Sequence, residues 1–99
     1  MAKFAAQPED AAAVERYLRD EVGLDHLRTR YRADLVTIES GPDHDAMPHA
    51  RLRRVGVHVW RLEMATHTGR WETTPFQAPR NELVRLLVEN FGWIVAPRE

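Results

Sequence analysis

Apolar residues recur along this chain with two different periods, and the points where the period changes divide it into elements. Val14, Tyr17, Leu18 and Val22 fall at i, i+3, i+4 and i+8, one stripe of a helix, while Glu15, Arg16, Arg19 and Asp20 take the other side. Pro8 suits the first turn of that helix, and Glu9 and Asp10 complement the positive end of its dipole. Gly23 supplies a left-handed terminating position from which Leu24 folds back onto Leu18. From Leu27 to Ser40 the period drops to two. Leu27, Thr29, Tyr31, Ala33 and Leu35 share one parity, and Arg28, Arg30 and Arg32 the other. Val36 and Ile38 are then apolar on the arginine parity, which reads either as a bulge near Asp34 or as a strand end buried on both faces.

Ser40 to His49 gathers Gly41, Pro42, Asp43, Asp45 and Pro48 and reads as an exposed loop. Ala50 to Val55 and Val57 to Thr66 read as further strands, the latter with Trp60, Leu62 and Met64 facing inward. Gly56 is either the turn between them or a bulge within one longer strand. Gly69 stands where a type I turn with a G1 bulge needs positive φ, so Trp71 to Phe76 is expected to pair back. Pro75 and Pro79 stop that strand, and Leu83, Val84, Leu86, Leu87, Val88 and Phe91 form a broad helical face. Gly92 is expected to cap this helix, leaving Trp93 to Ala96 as an edge strand or an extended segment before Pro97.

Sequential hairpins between two helices predict an α+β two-layer sandwich, an antiparallel sheet of three to five strands with both helices on one face. The order is α-β-β-β-β-α with a short apolar C-terminal segment. Residues 1–99 form a single domain, the size that supports one core. Helix, three strands and helix is an order similar to that of double-stranded-RNA-binding domains. Their basic helix start is missing here, because Arg80 at the start of the second helix is offset by Glu82.

Composition narrows the function classes. No cysteine is present, so disulfides, thiolate nucleophiles and cysteine-ligated metals are excluded. No apolar run approaches the roughly 20 residues of a membrane span, and the opening residues lack a secretory apolar stretch, so a cytoplasmic location without membrane association is the expectation. The 14 cationic and 15 acidic side chains leave a net charge of -1, and any attraction for an anionic partner must therefore be local.

Such a local excess exists. Residues 27–61 hold seven arginines against four acids, whereas the first 26 residues hold three cations against six acids. Alternation puts Arg28, Arg30 and Arg32 on one face of the first strand and Arg51 with Arg53 on one face of the next. If those faces coincide, the helix-free side of the sheet is lined with guanidiniums able to hold carboxylates or phosphates bidentately. The competing expectation is that the acidic first helix or another subunit neutralises these arginines.

The histidines offer less. His44 and His49 with Asp43 and Asp45 match no metal-ligand spacing and read as a solvated loop, and no metal or cofactor is expected. His58 shares the parity of Trp60 and reads as a core-edge residue. His67, at the hairpin tip, and Trp71 beside it are candidate ligand contacts, while Trp60 and Trp93 read as core anchors. No phosphate loop, nucleophile motif or carboxylate pair argues for an enzyme. The sequence thus points to a small non-enzymatic binding module whose arginine face takes a nucleic acid or an acidic protein surface. The alternative is an interaction protein that forms a homodimer through the sheet.

Overall fold

A computed structural model describes residues 4–66 and 68–95, except for the side chain of Asp43. Helix α1 spans Pro8–Arg16, strands β1 to β5 span Arg28–Arg32, Leu35–Ser40, Met47–Arg54, Trp60–Ala65 and Trp71–Ala78, and helix α2 spans Arg80–Val95. The five strands form one antiparallel meander in the order β1-β2-β3-β4-β5. Helix α1 packs on β1 and β2, and α2 on β3, β4 and β5, so one face of the sheet is covered. Among the described residues no helix is long and apolar enough to cross a membrane.

The parity change at Asp34 is a hairpin, not a bulge. Ala33 and Asp34 form a two-residue turn, so Arg32 pairs with Leu35 and Tyr31 with Val36. Paired residues share a face, and a two-residue turn pairs odd with even numbers, which moves the inward positions from Thr29 and Tyr31 to Val36 and Ile38. The sheet therefore has one strand more than the sequence order implied. Ala33 adopts positive φ (53°), which a tight hairpin demands and an L-residue resists. Hydrogen bonds from Ala6 N to Ala33 O (2.7 Å) and from Arg54 N to Asp34 O (2.8 Å) hold the turn in place.

Val14 of α1 and Leu18 of the turn that follows it are fully buried against Val36, Ile38, Leu52 and Leu62, with Leu83, Val84 and Leu87 of α2 completing the core. Trp60 joins them as its parity predicted. After Arg16 the first helix continues as a π turn over Tyr17–Glu21, and Gly23 (φ 82°) ends it with Leu24 N donating to Leu18 O. Gly56 lies in the connection between β3 and β4, where Val55 N and Gly56 N both donate to Val59 O. Gly69 takes positive φ in the β4–β5 hairpin as the turn chemistry required.

The end of α2 departs from expectation. Gly92 does not terminate it. The backbone leaves helical values at Phe91 (φ -130°, ψ 33°), and a further turn then brings Ile94 and Val95 into the core. That redirection turns Trp93 outward to 74% exposure, so it is not the core anchor its apolar neighbours suggested. Ala96 and Pro97 lie outside the described residues.

Both sheet edges are guarded against strand addition. On β1, Glu15 Oε1 accepts the Thr29 N–H at 2.8 Å, and Thr29 Oγ1 donates to Ala11 O. On β5, Pro75 and an irregular register between Arg61 and Glu63 disrupt a continuous ladder.

A candidate anion-binding face

The faces coincide. Arg28, Arg30 and Arg32 pair across β1 and β2 with Glu39, Thr37 and Leu35, and Leu35 and Thr37 pair in turn with Arg53 and Arg51. Register continues to β4, where Arg53 faces Arg61 and Arg51 faces Glu63. All five arginines singled out from the sequence thus stand on the helix-free side, joined by Arg61. Arg54 does not belong to it. Its opposite parity places it over the Trp60 ring at 5.7 Å, with hydrogen bonds to Ala5 O and Val57 O.

Positive charge is graded along the strands. The row nearest the β1–β2 turn reads Arg32, Leu35, Arg53, Arg61 and Gln77 across the sheet. The next reads Arg30, Thr37, Arg51, Glu63 and Thr73, and the third begins Arg28, Glu39 and Pro48. Neighbouring strands lie about 4.8 Å apart, so three guanidiniums of the first row fall along a line of roughly 15 Å. Among the described residues, Asp34, Glu39 and Glu63 are carboxylates in contact with arginines of this face, on a chain whose net charge is -1.

Neutralisation is partial, and it takes the form of a floor. Glu63 is buried (3% exposed) and accepts from Arg51 Nε at 2.6 Å and Arg53 Nε at 3.1 Å, with Arg61 at 3.5 Å. Burial pushes the Glu63 carboxyl up, but the hydrogen bonds and charges of Arg53 and Arg51 outweigh it and hold the group below its ordinary value. The hydrogen bond to Glu63 raises the Arg53 guanidinium against the cost of burial, with a further contribution from Asp34 at 3.0 Å. Glu39 plays the same part for Arg28 at 3.4 Å and Arg30 at 2.8 Å. Glu63 takes the Nε of Arg51 and of Arg53, Asp34 takes Nη1 of Arg53 and Glu39 takes Nη2 of Arg30, so the acids fix these side chains. Arg30 is 57% exposed, and Arg32 is exposed with no ion pair to any described residue. Trp71 borders this face half-buried, with the Arg51 guanidinium 4.2 Å above its ring.

Glu39 and Glu63 were missed from sequence. Glu63 shares parity with Arg61, a readable signal, whereas Glu39 joins the arginines only through the Ala33–Asp34 hairpin.

The histidines are redistributed. His49 is buried, not in a solvated loop, because β3 begins at Met47 and a register shift beside Glu39 turns it inward. Its ring nitrogens contact Ser40 Oγ at 2.7 Å and Ile94 O at 2.8 Å. His26 reaches Val95 O at 2.8 Å, and the two rings meet edge to face at 6.4 Å. His44 is exposed on a 3-10 turn, and His58 is exposed in the β3–β4 connection instead of at the core edge. His67 lies outside the described residues. Among the described residues no group of three or more histidines, aspartates and glutamates is placed to hold a metal.

The chain matches no protein-family model, no curated protein and no solved structure.

Proposed function

We propose that this protein is a binding module without chemistry of its own, and that it holds an acidic segment of another protein across the arginine face. The observation that carries this reading is the row of Arg32, Arg53 and Arg61, three guanidiniums from three strands with no acid in the row itself. Arg53 and Arg61, held by Glu63, lose little rotamer freedom on binding, and planar guanidinium donors match carboxylates bidentately. A polypeptide fits better than a nucleic acid for two reasons. Trp71, the aromatic ring on this face among the described residues, is covered by Arg51 and offers no bare platform for a base. The near-zero net charge also supplies no long-range field for a polyanion.

Titration of a labelled glutamate-rich peptide, alongside single- and double-stranded DNA and RNA, tests this. The peptide is expected to bind, and added salt to weaken it. Arg30→Gln and Arg32→Gln should each reduce affinity roughly threefold to tenfold. Arg85→Gln, on the exposed side of α2 beside Glu89, should do little. Preferential binding of nucleic acid, with a salt slope of about -0.7 to -0.9 per phosphate contacted, would replace the peptide. No binding to any of them, with a dimer by native mass, would favour self-association through the sheet.

A further inference from the structure

At the end of the sheet opposite the Arg32 row, a cleft of about 570 Å³ opens between the start of β3, the β4–β5 hairpin and the last turn of α2. We propose that this cleft binds a small organic ammonium ion, a cationic nitrogen carried on an apolar body.

Its volume lies within the range of roughly 300–1,000 Å³ usual for small-molecule sites. Met47, Met64, Trp93 and Ile94 make its walls apolar, and the thioethers adapt to ligands of differing shape. Trp93 is 74% exposed and Met47 44%, although the same helical turn buries Ile94 and Val95. A large indole left in water beside two methionines gains by being covered.

Charge selects among apolar ligands. Glu72 is the charged side chain among the described lining residues, and it forms no ion pair with any described residue. It reaches the cleft because it pairs with Met64 across β4 and β5 and so shares that residue's face. An anionic ligand would meet Glu72 as a like charge. A neutral one would strip water from the carboxylate without replacing it. His49, on the floor, has its ring nitrogens engaged by Ser40 and Ile94 and offers an anion little. An ammonium answers both demands, through a charge-assisted hydrogen bond to Glu72 and attraction to the face of the Trp93 ring.

Three probes with a matched phenylethyl body separate these terms: phenethylammonium, phenethyl alcohol and 3-phenylpropionate, each titrated by calorimetry or NMR shift perturbation. Phenethylammonium is expected to bind about tenfold more tightly than the alcohol, and the carboxylate most weakly. Glu72→Gln should reduce the ammonium to the level of the alcohol, and Trp93→Ala should weaken both. Both side chains are exposed, so the variants should keep the fold, which circular dichroism verifies. Arg32→Gln should leave all three affinities unchanged. Equal affinity for the three probes, preference for the carboxylate, a preference that survives Glu72→Gln, or no saturable ammonium binding up to about 10 mM would each overturn the proposal.

Discussion

Arg53 and Arg61 stand directly opposite each other on β3 and β4, and the carboxylate of Glu63 lies 3.1 Å from one and 3.5 Å from the other. Like charges in a cross-strand pair repel, so the register depends on the acid between them. Glu63→Gln should therefore destabilise the fold by about 3 kcal/mol, the lower part of the range for breaking a buried ion pair, because the arginines retain access to water.

The same carboxylate makes stability depend on acidity. Glu63 titrates below its ordinary value of 4.5 in the folded state. Its contribution is thus fully present above the unfolded value and is lost as pH falls through the folded one. Denaturant melts of the wild type from pH 7 downward should show stability falling through the acid range. Glu63→Gln should show a shallower fall.

Ala33 occupies positive φ at the tip of the β1–β2 hairpin. Ala33→Gly should raise stability by about 1 kcal/mol, because relief of the left-handed strain exceeds the extra entropy of the unfolded chain. An unchanged or lowered denaturant midpoint would contradict this account of the turn.

Trp60 is 3% exposed in the core, facing Arg54 across β3 and Ala78 across β5. Trp60→Ala should cost about 3–5 kcal/mol in chemical unfolding, the usual loss on emptying a large aromatic site.

His49 spans from Ser40 on β2 to the backbone of Ile94 in α2. His49→Ala should remove that bridge and leave a cavity, costing about 2–3 kcal/mol. Chelator treatment should leave the wild-type melt unchanged, since the ring nitrogens already have protein partners.

How much of this was legible depended on whether a residue's role is set by its neighbours in sequence or by its neighbours in space. The stripe of Val14 and Leu18, the inward run of Trp60 and Leu62, and the turn at Gly69 are local patterns, and they appear as read. The arginine face was legible as two half-faces, since alternation fixes parity within a strand. Ala33-Asp34 carries no glycine or asparagine, so its hairpin looked like an irregular strand. What forces that tight turn is distant, the contacts of Ala6 and Arg54. Trp93 and His49 exchanged their expected surroundings for a related reason. The helix continues past Gly92 to bury Ile94 and Val95, and His49 supplies the donor that meets the helix end. Neither event has a signal within a few residues of itself.

Every strand of this sheet pairs with its neighbour in sequence, yet the two helices that cover it come from opposite ends of the chain. Asp10 and Arg80 meet across that separation at 2.5 Å, tying the start of one helix to the start of the other. The half of the apolar face around Leu52, Trp60 and Leu62 is covered by α2, which follows all five strands in the chain. A sheet formed before α2 docks would be half-roofed. Its bulged and prolyl far edge, together with the helix-capped near one, keeps such a sheet from recruiting the strands of other chains.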